Sequence, residues 1–174
     1  KASLAANVFC RLSWTGNPEP LPQNRIIPSL LLRGGRLVKG EAFRHHRDAG
    51  APPSTARAHN AQGADELVVL DIDANREGRM PDLDVFRAIA SEIQIPLTVG
   101  GGISDTATAR LAMDVGADKI TVNSTAIDRP ELITELAELF GRQAVVLGID
   151  VLMDDGAGRL FDHRTGMAAG GGDW

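Results

Sequence analysis

The side chains in this chain that could do chemistry stand where apolar runs end. Asp150 closes the run 145–149 as a lone carboxylate. A carboxylate there can serve as a general acid or base if it is partly desolvated and near a substrate. It can equally cap a helix or bond a loop, and the sequence leaves both readings open. Gly100-Gly101-Gly102 follows the run 97–99 and precedes Ser104-Asp105 and a helical pattern. Glycines let backbone N–H groups approach an anion, and a helix start adds positive potential. The alternative is a tight turn with positive φ, which needs one glycine or two. Three in a row favour a phosphate, and Asn123 and Ser124 at the next run's end could donate to it. The run 67–72 leads through Asp71 to Asp73. Alternation is expected to put these two aspartates on opposite faces, so that only one faces a substrate; Asp71 lies deeper, and a hydrogen-bonded structural role is the alternative for it.

The runs 26–32, 67–72, 97–99, 120–122 and 145–149 are rich in β-branched residues and bounded by Gly, Asp or Pro. Several are continuous rather than alternating, as in strands buried on both faces of a parallel sheet. Helical patterns lie between them at 53–62, 82–93, 105–115 and 130–140. Leu83, Phe86, Ile89 and Ala90 hold helical spacing. Gly116 and Gly141 suit helix C-termini. Asp128 with Glu131 three residues on fits an N-cap, with Pro130 in the first turn. The order is therefore α/β, with parallel strands and right-handed crossovers. Two architectures fit, an open doubly wound sheet and a (β/α)8 barrel. The stretch 33–39 after the first strand lacks GxGxxG spacing and reads as a hairpin-like loop, which favours the barrel. At the opposite ends, Arg25, Glu66 and Lys119 stand where strands begin, and spacing alone reads them as solvated charges.

The chain has 174 residues, with 43% hydrophobic and 24% charged. That is an ordinary soluble composition able to bury a core. The formal net charge of −5 argues against a nucleic-acid surface, and no apolar run is long enough to span a membrane. The lone Cys10 cannot form an internal disulfide, so a reducing, cytoplasmic location is expected. His45-His46 lies in the loop after the first strand, and His163 is isolated. No metal site and no cofactor is suggested. Residues 1–24 read as a leader or arm of unknown role, and 25–174 as the folded part.

Together, "RIIPSLLLRGGRLVKG" (25–40), "GADELVVLDIDA" (63–74), "IPLTVGGGI" (95–103), "GADKITVNSTAI" (116–127) and "PELI…FG" (130–141) resemble the HisF family. The resemblance implies a (β/α)8 barrel, of which about the first five βα units are present. It implies a synthase or lyase subunit that receives ammonia from a glutaminase of the HisH or WbuY kind and acts on a phosphorylated small molecule. Residue by residue, it assigns Asp150 a catalytic role and Gly101, Gly102, Asn123 and Ser124 a phosphate site. Lys39 matches a lysine of the family's mobile first loop and joins the substrate group, to which the strand-end reading adds Asp71. Arg25, Glu66 and Lys119 become part of a gate for ammonia, and Asp118 faces the glutaminase.

Two departures stand out. Leu31 occupies the place of the family's other catalytic aspartate. The same follows internally, because 26–32 and 145–151 look like repeated half-barrel units and Leu31 stands where Asp150 stands. "LLL" with "LDIDA" resembles instead the WbuZ branch, which amidates sugars of surface polysaccharides. The leading expectation is that branch. Imidazole glycerol phosphate synthesis for histidine and a non-catalytic glutaminase-docking module are the alternatives. The second departure is length, since a full barrel takes about 250 residues. The expectation is a fragment of a longer product.

Overall fold

The computed structural model describes residues 24–41, 44–154, 157–162 and 167–168. The leader reading for 1–24, Cys10 and His163 fall almost wholly outside them. The chain forms β1 (Ser29–Arg33), β2 (Arg36–Glu41), β3 (Arg44–Gly50), α1 (Pro52–Ala61), β4 (Leu67–Asp71), α2 (Leu83–Ala90), β5 (Leu97–Gly100) and α3 (Thr106–Asp114). Then come β6 (Lys119–Val122), α4 (Ser124–Asp128), α5 (Glu131–Phe140), β7 (Val145–Leu147), β8 (Val151–Asp154), β9 (Ala157–Asp162) and β10 (Met167–Ala168). Seven strands form one sheet in the order β3-β2-β1-β4-β5-β6-β7, and β10-β9-β8 form a small antiparallel sheet.

The strands β1, β4, β5, β6 and β7 are mutually parallel. Their apolar alternation explains the core. Leu32, Leu67, Val69, Leu97, Val99, Ile120 and Val122 share one face and are buried under the helices. Phe86 and Ile89 of α2, Ala109 and Ala112 of α3, and Leu132 and Leu136 of α5 cover them. The opposite face carries Leu31, Val68, Leu70, Thr98, Gly100, Thr121 and Val146, aligned by the ladder pairs Leu31↔Leu70, Val68↔Thr98 and Gly100↔Thr121. It is the lumenal face of a curved parallel sheet. β5 is buried on both faces, whereas β4 alternates between buried and half-buried positions.

The stretch after β1 is a genuine β-hairpin. β2 runs antiparallel to β1 and pairs again with β3. His45-His46 is therefore strand β3 rather than loop. The expected cap at Asp128 is also corrected. Ser124–Asp128 forms its own short helix, and Pro130 is the N-cap of α5 with no side-chain cap bond.

Helix α3 begins at a built cap, because Asp105 Oδ1 accepts from Thr108 N–H at 2.7 Å. That bond, then others at the same turn, hold the Asp105 carboxyl below its ordinary pKa. Asp105→Ala should cost about 1 kcal/mol by urea unfolding at neutral pH. The depressed pKa sets the sign. The contribution is full above the ordinary aspartate value of about 3.9 and disappears as pH falls through the lower folded value.

Candidate functional site

The parallel strands carry polar groups at both ends. At the amino ends, Glu66 is fixed just before β4 and is 4% exposed. Lys119 opens β6 and donates its Nζ to both Glu66 oxygens, each at 2.8 Å. Thr98, on β5 and almost fully buried, donates its hydroxyl to Glu66 Oε1 at 2.7 Å. Arg25 Nη2 completes the group at 2.9 Å from Glu66 Oε2. Burial pushes the Glu66 carboxyl up, but the bonds from Lys119, Thr98 and Arg25 outweigh it and hold the carboxyl below its ordinary range. Of the three charges that spacing reads as solvated, Arg25 and Lys119 thus converge on the third, the buried carboxylate of Glu66. Thr98 is a member that the sequence reading missed. A lone hydroxyl inside the run Leu97-Thr98-Val99 is the available signal. Asp118 lies beside this end, exposed, with Oδ2 accepting from Leu97 N–H at 2.8 Å.

Glu66→Gln should destabilise the fold by about 3 kcal/mol at pH 7, since it leaves Lys119 without its counter-charge in a partly buried site. Because the folded pKa is lowered, the difference from wild type should shrink as pH falls below about 4.3. Denaturant titrations of both proteins at pH 7 and in acid read this directly.

At the carboxyl ends, Gly101 and Gly102 follow β5 with φ of +90° and +71°. The turn packs on backbone. A Cβ on Gly101 would lie 2.0 Å from the Asp71 carbonyl oxygen, and one on Gly102 2.6 Å from the Arg79 carbonyl oxygen. On Gly100 it would lie 2.3 Å from Thr121 Cγ2. All three glycines thus have steric reasons of their own, so their number alone does not argue for an anion. Among the described residues, the amides of Gly101 and Gly102 donate to no backbone carbonyl. On the next strand, Asn123 precedes α4, and its Nδ2 donates to Asp150 Oδ2 at 2.6 Å. That bond uses the side chain that would otherwise cap α4. Ser124 is buried at the start of α4. Asp150 is half-buried and follows β7. The structure therefore groups Asn123, Ser124 and Asp150 at one strand end, with the glycine turn at the adjacent one.

Two assigned residues lie elsewhere. Asp71 is 3% exposed and faces the helix layer. It accepts from Arg79 Nη1 and Nη2 at 2.7 and 3.1 Å, and from the amides of Ala74 and Asp82, both at 3.2 Å. These bonds tie it to the β4–α2 loop. Asp71 and Asp73 are also two positions apart, which puts them on one side of an extended chain, not on opposite sides. Asp73 pairs with Arg33 at 3.0 Å and Arg76 at 2.6 Å. Lys39 is exposed on β2, one position past Val38, the partner of Leu31. Alternation places it on the face away from Leu31, because the segment is a hairpin strand and not an open loop. Leu31 itself stands half-buried on the lumenal face between Leu70 and Val38.

A cleft of about 590 Å³ opens near these strand ends, lined by Arg33, Gly34, Gly35, Asp73, Glu77, Arg79 and Asp82. It does not include Asn123 or Asp150. Both its guanidinium groups are ion-paired, Arg33 to Asp73 and Arg79 to Asp71 and Glu77. Asp71, then Glu77, hold Arg79 still more firmly protonated than a free guanidinium. Among the described residues, no cluster of His, Cys, Asp and Glu could hold a metal ion. No described helix is long and apolar enough to cross a membrane.

Parallel strands, outer helices and polar groups gathered at the strand ends define the class as a βα-barrel protein. The chain belongs to the histidine biosynthesis protein family, whose sequence profile matches residues 25–169. That family is built on the (β/α)8 barrel, and the described sheet is part of one. Its relatives include imidazole glycerol phosphate synthase subunit HisF from Anoxybacillus flavithermus, 52% identical over 141 residues, or 80% of this chain and 56% of that protein. The subunit of the same name from Methanopyrus kandleri is 52% identical over 126 residues, covering 72% of this chain and 46% of its own length. That from Bacillus subtilis is 49% identical over 130 residues, covering 75% and 52%. The chain spans about half the length of the curated relatives it matches.

Proposed function

We propose that the protein is the ammonia-using subunit of an enzyme of the imidazole glycerol phosphate synthase type, acting as a lyase or synthase with a glutaminase partner. The names of its relatives favour this reaction over the sugar amidation expected from the sequence. One observation carries the reading. The same parallel strands hold a plug of paired charges at one end and a carboxylate–amide pair at the other, with Val68, Leu70 and Val146 on the face between. In this reading ammonia released by the glutaminase passes Arg25, Glu66 and Lys119 and travels along that face. It then reacts beside Asp150. Asn123 orients Asp150 by holding one oxygen, and the carboxylate moves a proton at the substrate. The amides of Gly101 and Gly102, with Asn123 and Ser124, bind a substrate phosphate. Lys39 would reach the substrate only if the β2–β3 hairpin rearranged.

Asp118 sits at the ammonia end and would meet the glutaminase. Asp118→Lys should weaken the complex at least tenfold, as like charge does at an interface. Titration of a glutaminase encoded beside this gene against the full-length protein measures it, and absence of any complex would remove the partner from the account. For the phosphate, Asn123→Ala and Ser124→Ala are better probes than Gly101→Val, which disturbs backbone packing. Each should weaken binding of inorganic phosphate several-fold, and unchanged affinity in both would place the anion elsewhere.

A second reading keeps the glutaminase but changes the acceptor. Leu31 favours it, because a leucine can neither take nor give a proton where ring closure asks for a second carboxylate. Amidation of a surface-polysaccharide sugar, as in WbuZ-type proteins, requires ammonia but no ring closure.

A further inference from the structure

The β4–α2 loop and the glycine turn after β5 share a wall of backbone. Gly101 is seated against the Asp71 main chain, where an added Cβ would lie 2.0 Å from the carbonyl oxygen and 2.9 Å from the nitrogen. Gly102 is seated against the far end of the loop, where a Cβ would meet the Arg79 carbonyl oxygen at 2.6 Å, Ala74 Cβ at 2.7 Å and Pro81 N at 3.3 Å. The turn therefore takes its position from two loop segments eight residues apart in the chain, 71–74 and 79–81. A single buried carboxylate joins these segments. Asp71 accepts from the Ala74 amide on one side, and from the Arg79 guanidinium and the Asp82 amide on the other. Arg79 Nη1 also donates to the Met80 carbonyl at 3.0 Å, which fixes the loop's return. A buried carboxylate paired with a guanidinium and backbone amides is a stiff joint, because losing either partner strands the other's charge.

From this we infer that Asp71 and Arg79 are positioning residues for the anion turn. They do not touch the phosphate. They set the loop whose main chain fixes where the amides of Gly101 and Gly102 stand. The inference rests on the phosphate reading of that turn. Displacement of such amides by about 1 Å is enough to cost a large factor in binding or rate.

The test titrates inorganic phosphate against the full-length protein, followed by the amide NMR shifts of Gly101 and Gly102, with circular dichroism to select folded variants. Asp71→Asn and Arg79→Gln should each weaken phosphate by about tenfold or more. The double variant should be no weaker than the worse single one, because both act through one joint. Arg79→Lys keeps the charge and should recover most of the affinity. A merely structural role would lower the melting temperature but leave phosphate affinity unchanged well below it. Folded Asp71→Asn or Arg79→Gln protein with wild-type affinity would overturn the inference. If Asp71→Asn does not fold, Arg79→Gln, changing a partly exposed side chain, decides alone. If the wild type binds no phosphate, or Asn123→Ala and Ser124→Ala leave binding intact, the phosphate reading itself fails and the inference falls with it.

Discussion

Gly101→Ala should destabilise the fold by about 4 kcal/mol, far more than Gly63→Ala. Both glycines have positive φ, +90° and +80°. Both substitutions therefore strain the backbone, by about 1–3 kcal/mol. They differ in what the new methyl meets. Nothing lies within 4 Å of a Cβ at Gly63, whereas at Gly101 the Asp71 carbonyl oxygen lies at 2.0 Å. A backbone carbonyl in a parallel sheet cannot swing aside as a long side chain can, so overpacking adds about 1–3 kcal/mol. Out of a total stability of roughly 5–15 kcal/mol, that leaves a fold near its limit. Urea midpoints of the two variants provide the comparison. Equal losses would show that the Asp71 segment gives way and that the close approach is unimportant.

Much of the fold is legible in the residues because the elements are periodic and punctuated. The five parallel strands and four longer helices lie where apolar runs and spacing place them, with ends shifted by a few residues. Asp82 and Asp105 accept from Val85 and Thr108 amides at the expected helix starts. Short elements carry too little pattern. Ser124–Asp128 has five residues, barely more than one turn, so by pattern its start looks like a strand end and its end like a helix cap. The hairpin strands β2 and β3 are charged, and charge masks alternation. Their identity depends on pairing with β1, which is a tertiary fact.

For the candidate site, residue type and place were legible but partnership was not. Arg25, Glu66 and Lys119 look like solvated charges by spacing, yet the register Val68↔Thr98 and Thr98↔Lys119 brings Lys119 onto the Glu66 carboxylate, and Arg25 joins it. Asn123 and Asp150 stand 27 residues apart and meet only because β6 and β7 are neighbours. By sequence the glycine triplet suggests an anion cradle, but that each glycine also admits a neighbouring chain depends on tertiary packing. Asp71 stands at a strand end, which by sequence makes it a candidate substrate ligand. The sequence does not show that it stands on the helix side of β4 with Arg79 and two loop amides bonded to it.

Leu31→Asp should speed imidazole ring closure by about 10²–10⁴-fold, the usual worth of one acid/base role. Leu31 is on the lumenal face, in register with Leu70 of β4 and Val38 of β2. Asp150 stands beyond β7, at the far edge of the same parallel set. An aspartate at position 31 would thus restore a second carboxylate across the mouth from the first. The position is half-buried, so the new charge keeps access to water and its desolvation cost is modest. In the proposed reaction the wild type supplies Asp150 without its counterpart at position 31, so slow turnover is expected. Under the sugar-amidation reading, the same substitution would bring no ring closure, because the pocket would not hold the nucleotide.

The proposed role as an ammonia-using subunit of the imidazole glycerol phosphate synthase type is tested most directly by the rate of imidazole glycerol phosphate formation by full-length wild-type and Leu31→Asp protein. Both receive the phosphorylated ribonucleotide substrate, with ammonium salt in place of the glutaminase. The account predicts slow product formation by the wild type and a rate at least 10²-fold higher for Leu31→Asp. No product from the folded Leu31→Asp variant would contradict it.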